Sequence, residues 1–302
     1  MRKTTKIALI IAGSLLVVGM ILFSVVMSIQ KWDFTTLSTG KYISNSYEIS
    51  DDFNNLSIGT DTGNIIFALS DDGICKVECY EKERAKHSVS VKENTLYIQM
   101  VDERFWYDYI GMIDFGAPSI TIYLPKTEYS SLLVKGSTGK VKLLESLHFK
   151  DVAVSLSTGH INVENISADT MNLSTSTGKI TAANVDCSNN MAVNVSTGNT
   201  IMTNITCKNL SSSGSTGNIS LHTVLTTEIC SIRRSTGNVE LNGCDAAEIY
   251  IETETGNVSG SLLSDKVFIT ETATGKINVP KTTTGGKCEI KTSTGNIRIK
   301  ID

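Results

Sequence analysis

Proline is nearly missing from this sequence, with 3 in 302 residues. Aromatic residues reach only 6% and charged residues only 19%. These shortages exclude a Pro-rich stalk and a charge-driven disordered chain. Glycine, at 23 residues, falls far short of the one-in-three of a collagen. Apolar runs of membrane-crossing length are absent save one, and a mean hydropathy of +0.01 is too low for a polytopic membrane protein. Acids are missing from residues 1 to 31, which hold four of the 27 basic residues, so the remainder carries a net charge of −8. With no basic stripe, a nucleic-acid partner is not expected.

The one apolar run is IALIIAGSLLVVGMILFSVVMSI, residues 7–29, 23 residues without a charge. That length crosses a hydrocarbon core of about 30 Å with some tilt. Arg2, Lys3 and Lys6 precede it; Lys31 and Trp32 follow. The positive-inside rule then places residues 1–6 in the cytoplasm and the rest outside. A cleaved signal peptide is the alternative, but its apolar region is shorter and Val26-Met27-Ser28 is a poor cleavage site. The expectation is a single-pass membrane anchor, with the C-terminal part extracellular.

A repeat follows. Thr-Gly recurs with its glycine at Gly139, Gly159, Gly178, Gly198, Gly217, Gly237, Gly256, Gly275 and Gly295, always 19 or 20 residues apart. The residue after each glycine is Asn, Lys or His, and the residue two before it is Ser in seven of the nine. Two positions after the glycine stand Val141, Ile161, Ile180, Thr200, Ile219, Val239, Val258, Ile277 and Ile297. Five before it stand Val154, Leu173, Val193, Ser212, Ile232, Ile251, Thr270 and Ile290. Between those apolar columns runs a polar one: Ser155, Ser174, Asn194, Ser213, Arg233, Glu252, Glu271 and Lys291.

Alternation of this kind is a strand with one buried face. Each unit reads strand, Ser-Thr-Gly turn, strand, corner, and none shows helical periodicity. The predicted fold class is all-β: a single-stranded right-handed parallel β-helix of 19–20-residue coils, with one N-terminal transmembrane helix. Nine coils stacked about 4.8 Å apart give a rod of roughly 40 Å. Arg233, Glu252, Glu271 and Lys291 would form a surface charge ladder in that order. Asn165, Asn184 and Asn204 would form a corner ladder. Residues 135–302 are the regular coils and 30–46 a linker. Residues 47–134 form an irregular β-rich cap containing a repeat-like turn at Gly63 and the aromatic segment Phe105, Trp106, Tyr107 and Tyr109. That segment is either a partner patch or a plug over the first coil.

Ile122-Tyr123-Leu124-Pro125, then Leu132-Leu133-Val134, then the serial Ser-Thr-Gly turns, resemble the bacterial putative-adhesin family of β-strand repeat proteins, mostly Gram-positive surface proteins of unknown function. The resemblance covers about residues 47–300. It implies a surface β-solenoid and supplies no catalytic residues.

Candidate chemistry is sparse. Cys187 and Cys207 lie nine after their glycines, so stacking brings them within disulfide range, with a ladder of free thiols as the alternative. Cys230, Cys244 and Cys288 fall in core columns, and Cys75 and Cys79 share a strand face too far apart to bridge each other. Leu124-Pro125-Lys126-Thr127-Glu128 imitates a sorting signal, but it lies mid-chain and has Glu where that signal has Gly. The turns lack the aspartates of calcium-binding solenoids. His87, His148, His160 and His222 fall in different columns, so no metal cluster is expected. Glu252 with Glu271, or Glu228 with Glu248, would be the carboxyl pair of a polysaccharide-active enzyme, which needs about 5 to 9 Å between carboxyls.

The reading is therefore a non-enzymatic structural or adhesive surface for cell-wall polymer or a surface protein, with no cofactor. The alternative is a regulatory ectodomain in envelope-stress signalling. The coil ending at Asp302 has no obvious cap, so an end-to-end homodimer is expected there.

Overall fold

The computed structural model describes residues 3–32, 41–104, 116–144 and 146–302. One helix, Lys3–Ile29, opens the chain. It has no proline and exposes apolar side chains on every side, Ile10, Leu15, Leu16 and Leu22 among them. It is long and apolar enough to cross a membrane.

Among the described residues, every element after the helix is a β-strand. The N-terminal part contains β1 (Tyr42–Ile49), β2 (Asn55–Thr62), β3 (Asn64–Leu69), β4 (Cys75–Lys82), β5 (Ala85–Lys92), β6 (Thr95–Asp102), β7 (Ser119–Leu124) and β8 (Glu128–Leu143). β1 thus begins inside the stretch read as linker. β2 and β3 flank Gly63 and form a regular rung, with β8 stacked parallel on both. On the opposite edge, β6 lies parallel to β2 and β7 parallel to β3. The pairing then turns antiparallel: β5 on β6, β4 on β7 and β1 on β4. The change of direction ends the parallel repeat at this end of the stack.

From β8 as far as the strand Glu248–Thr255, successive rungs pair in parallel with a register of 19 or 20 residues, as in Leu132↔Val152, Leu210↔Cys230 and Cys230↔Ile249. The columns read from the sequence hold. Val154, Leu173, Val193, Ile232 and Ile251 are buried, while Ser155, Asn194, Arg233 and Glu252 are exposed. One continuous apolar core runs from Leu56 in β2 to Ile299.

The turn glycine has two physical causes. Gly198 has φ +135, a conformation that disfavours any side chain, and a Cβ there would sit 1.6 Å from the carbonyl oxygen of Gly178 on the rung below. The following asparagine has a cause too. Asn199 Oδ1 accepts the backbone N–H of Asn218 at 2.9 Å, and Asn218 Oδ1 accepts that of Asn238 at 2.9 Å. The side chain supplies an acceptor where the turn breaks the backbone ladder. The corner ladder also forms: Asn165, Asn184 and Asn204 all have positive φ, and each amide donates to the previous one at 3.0 Å.

The stacking order departs from the sequence near the C-terminus. The strand Gly286–Thr294 pairs on one side with Glu248–Thr255 and on the other with Lys266–Thr274. Likewise Ile297–Ile301 lies between Val258–Leu262 and the short strand Ile277–Asn278. The last rung in sequence is the second-to-last in space. The asparagine ladder follows the same path, from Asn257 to Asn296 and then to Lys276.

Core packing explains the exchange. Cys288, Ile290, Ile297 and Ile299 are 0 to 4% exposed, whereas the matching positions of the outer rung are Phe268, Thr270, Ile277 and Val279. A threonine hydroxyl in the interior slot would forgo the ~1.5–3 kcal/mol that burying an isoleucine contributes. The weaker rung serves as the edge. The open end is therefore Lys266–Asn278, with Val267, Ile269 and Ile277 exposed, and not the segment ending at Asp302.

Candidate functional site

The outward face near the C-terminal end carries the densest chemistry. Because of the exchanged rungs, the charge column runs Arg233, Glu252, Lys291, Glu271, with signs alternating. Arg233 Nε donates to Glu252 Oε2 at 2.9 Å. Lys287 and Lys291 flank Glu289, each 2.6 Å from one of its oxygens, and hold its carboxyl down to about 2. Tyr250 lies two residues from Glu252 of this column and on the same face; its hydroxyl donates to Glu248 Oε2 at 2.5 Å, and Lys287 Nζ stands 5.0 Å from its ring centre. A groove of about 240 Å³ is lined by Arg233, Tyr250, Glu252, Glu289 and Lys291.

Neither carboxyl pair considered from sequence occupies one ladder position on adjacent rungs. Lys291 separates Glu252 from Glu271 by a full rung. Glu248 takes Ile229 as its register partner and meets Glu228 only through its backbone N–H, which donates to Glu228 O at 2.9 Å.

Cys187 and Cys207 are direct ladder partners, as expected, but both are free and buried. No bridge joins them: Cys187 Sγ instead donates to the carbonyl oxygens of Asp169 and Asn190. Parallel strands aim neighbouring Cβ atoms the same way, which suits a stack better than a bond. Phe105, Trp106, Tyr107 and Tyr109 lie outside the described residues. Core aromatics do line the cap end, where the Tyr129 ring stacks on Phe53 and Phe149 with centroids 6.1 and 5.4 Å away.

Two polar groupings escaped the column reading. Arg234 is 1% exposed and fills the space left by Gly214, its ladder partner. Its guanidinium donates to Val195 O and Thr200 Oγ1, while Nε has no partner. Burial pulls its pKa down. Thr200 in a column of isoleucine and valine was the sequence signal for this arginine.

The second grouping lies in the cap. Glu81 on β4 and His87 on β5 are 1% and 4% exposed. Glu81 Oε2 stands 2.7 Å from His87 Nδ1 and accepts the His87 backbone N–H at 2.6 Å. Asn45 Nδ2 donates to Glu81 Oε1 at 2.6 Å, and His87 Nε2 contacts Thr60 Oγ1 at 3.1 Å. The order hydroxyl, imidazole, carboxylate is that of a nucleophilic relay. Yet Thr60 is buried and occupies the column of Thr175, Thr253 and Thr292, whose hydroxyls bond turn-glycine carbonyls. The other three histidines contact Ser167 (His148), Lys179 N (His160) and Asn242 (His222). Only His87 of the four is buried. No alternating column reaches it, because the antiparallel cap has its own register.

Fold and surface define an all-β repeat protein with turn ladders and one apolar N-terminal helix. The chain belongs to the Toastrack DUF4097 family, whose description matches residues 53–222 and 186–302. The resemblance drawn from the Ile122–Pro125 segment and the serial turns therefore holds. Three solved structures are similar in fold. A putative adhesin from Bacteroides fragilis is 18% identical, with a TM-score of 0.45 over 86% of this chain and 97% of that one. A putative lipid binding protein from Parabacteroides distasonis is 18% identical, with a TM-score of 0.44 over 87% and 98%. A putative adhesin from the same species is 14% identical, with a TM-score of 0.40 over 86% and 98%. No curated protein matches the chain.

Proposed function

We propose that this protein is a membrane-anchored, extracytoplasmic binding rod that holds envelope polymer or a surface protein along its outward ladder face. The helix Lys3–Ile29 is the anchor, its basic N-terminal flank faces the cytoplasm, and the coils wind right-handed. The observation that supports this reading most is the groove over Arg233, Tyr250, Glu252 and Lys291. Alternating charge with an aromatic ring beside it suits a polar, extended ligand. Separation of the carboxylates by Lys291 favours binding over hydrolysis. An end-to-end homodimer, in this reading, uses the apolar edge Val267, Ile269 and Ile277.

Full-length protein in detergent, incubated with purified wall polymer and with an envelope extract, tests the proposal. Retention is expected, weakened about tenfold by Tyr250→Ala with Arg233→Glu, the scale of losing an interface anchor. Retention that ignores these substitutions refutes the site, and no retention at all refutes the function.

A further inference from the structure

The cap contains three potential metal ligands brought together by one hairpin. Cys79 and Glu81 alternate on β4 and so share a face; two residues of turn later, β5 returns His87 to the same place. One ligand atom from each of Cys79, Glu81 and His87 lies within 4.8 Å of the other two. We propose that Cys79 Sγ, Glu81 and His87 Nδ1 form a divalent-cation site suited to zinc.

Geometry supports this first. Tetrahedral zinc, with bonds of about 2.0 to 2.3 Å, separates its ligand atoms by about 3.3 to 3.8 Å. Side-chain shifts of about one ångström bring the three atoms to that spacing. A mixed thiolate, imidazole and carboxylate set suits zinc better than calcium or magnesium, which prefer oxygen alone.

The surroundings supply the outer contacts such sites use. His87 Nε2 lies 3.1 Å from Thr60 Oγ1, a contact that orients the ring with Nδ1 toward Glu81. Asn45 Nδ2 fixes the carboxylate through Oε1, leaving Oε2 on the histidine side. Cys79, like Cys75, Cys207, Cys230 and Cys288, makes no hydrogen bond among the described residues, so its sulfur is free to take a metal bond. Glu81 and His87 also line a cavity of about 80 Å³, large enough for a water as fourth ligand.

The site ties β4 and β5 to Thr60 of the first rung, so the cation would brace the cap on the stack. Full-length protein in detergent, stripped with a chelator and titrated with cobalt(II), tests it. One equivalent should bind with a sulfur-to-cobalt charge-transfer band, be displaced by zinc, and raise the thermal midpoint. Cys79→Ser should abolish the band, and Glu81→Gln and His87→Gln should each weaken binding at least tenfold. Cys187→Ser should leave the band intact. A wild-type protein with no band and no bound zinc overturns the proposal, as does a band that survives Cys79→Ser.

Discussion

Lys266 Nζ lies 2.6 Å from Asp245 Oδ1, although a whole strand separates the rungs to which the two residues belong. Lys266 begins the outermost strand and pairs with Gly286 of the inserted one, yet its ammonium reaches back to the corner before Glu248–Thr255. Lys266 is nearly fully buried, and Ser264 also contacts both ends of the pair. The contact clamps the inserted rung from outside. Lys266→Met should leave Asp245 partly buried and unpaired, costing about 2–3 kcal/mol, below the usual figure for a fully buried pair because Asp245 retains some solvent. Chemical denaturation of the full chain measures it, and an unchanged midpoint would rule out the clamp.

The same pair sets a pH dependence. Burial opposes ionisation of Asp245, yet bonds from Lys266, Ser264 and the Ala246 N–H together hold its carboxyl below the ordinary 3.8. A carboxyl lowered by folding contributes stability that is complete above its unfolded value and lost as pH falls through the folded one. The stability difference between wild type and Asp245→Asn should therefore be constant near neutrality and close below about pH 3.8. A difference that grows toward acid would contradict this assignment.

Gly198→Ala should be severe, by about 3 kcal/mol or more, since it combines positive φ with a backbone clash. Gly73→Ala makes the contrast. Its φ is +75, but no atom lies within 4 Å of the added carbon, so only the conformational cost of about 1 kcal/mol applies. Thermal unfolding of the two variants separates strain from collision; equal losses would refute the close-approach argument.

Arg234 should behave in the opposite sense. No carboxylate pairs with it among the described residues, and its Nε is unsatisfied. Replacing such a group by an apolar side chain of similar length is neutral or stabilising. Arg234→Met is expected to keep or raise the denaturation midpoint, and a loss above about 2 kcal/mol would show that its bonds to Val195 and Thr200 outweigh desolvation.

All seven cysteines are buried and free. Burial pushes the thiols of Cys75, Cys79, Cys207 and Cys288 up to about 12. A thiol reagent should therefore find no fast-reacting site in the folded protein and seven after unfolding with chelator present. Five after unfolding would indicate a Cys187–Cys207 bond.

The repeat was legible because period, turn and alternation reinforce one another. Gly139 through Gly295 fixed the rungs, and the columns fixed which side chains are buried. Rung order was not legible, because a column constrains which residues can be neighbours but not which copy lies next. Thr270 in an apolar column and Pro280 just after the outer rung were the available hints of a rung unfit for the interior. The network of Asn45, Thr60, Glu81 and His87 was hidden for another reason. Its members come from β1, β2, β4 and β5, and antiparallel pairing joins residues with no common period.

The inserted rung also opposes the order of synthesis to the order of assembly. A chain emerging N-terminus first can lay down rungs one by one only as far as Leu262. Residues 266–278 then have nothing to lie on until 286–301 arrive, so the end stays ragged until the last residues are made. Loss of residues 286–302 should consequently unfold 266–278 as well, visible as rapid hydrogen exchange across both segments. Residues 286–302 thus carry the outer rung, because they supply the strands on which 266–274 and 277–278 pair.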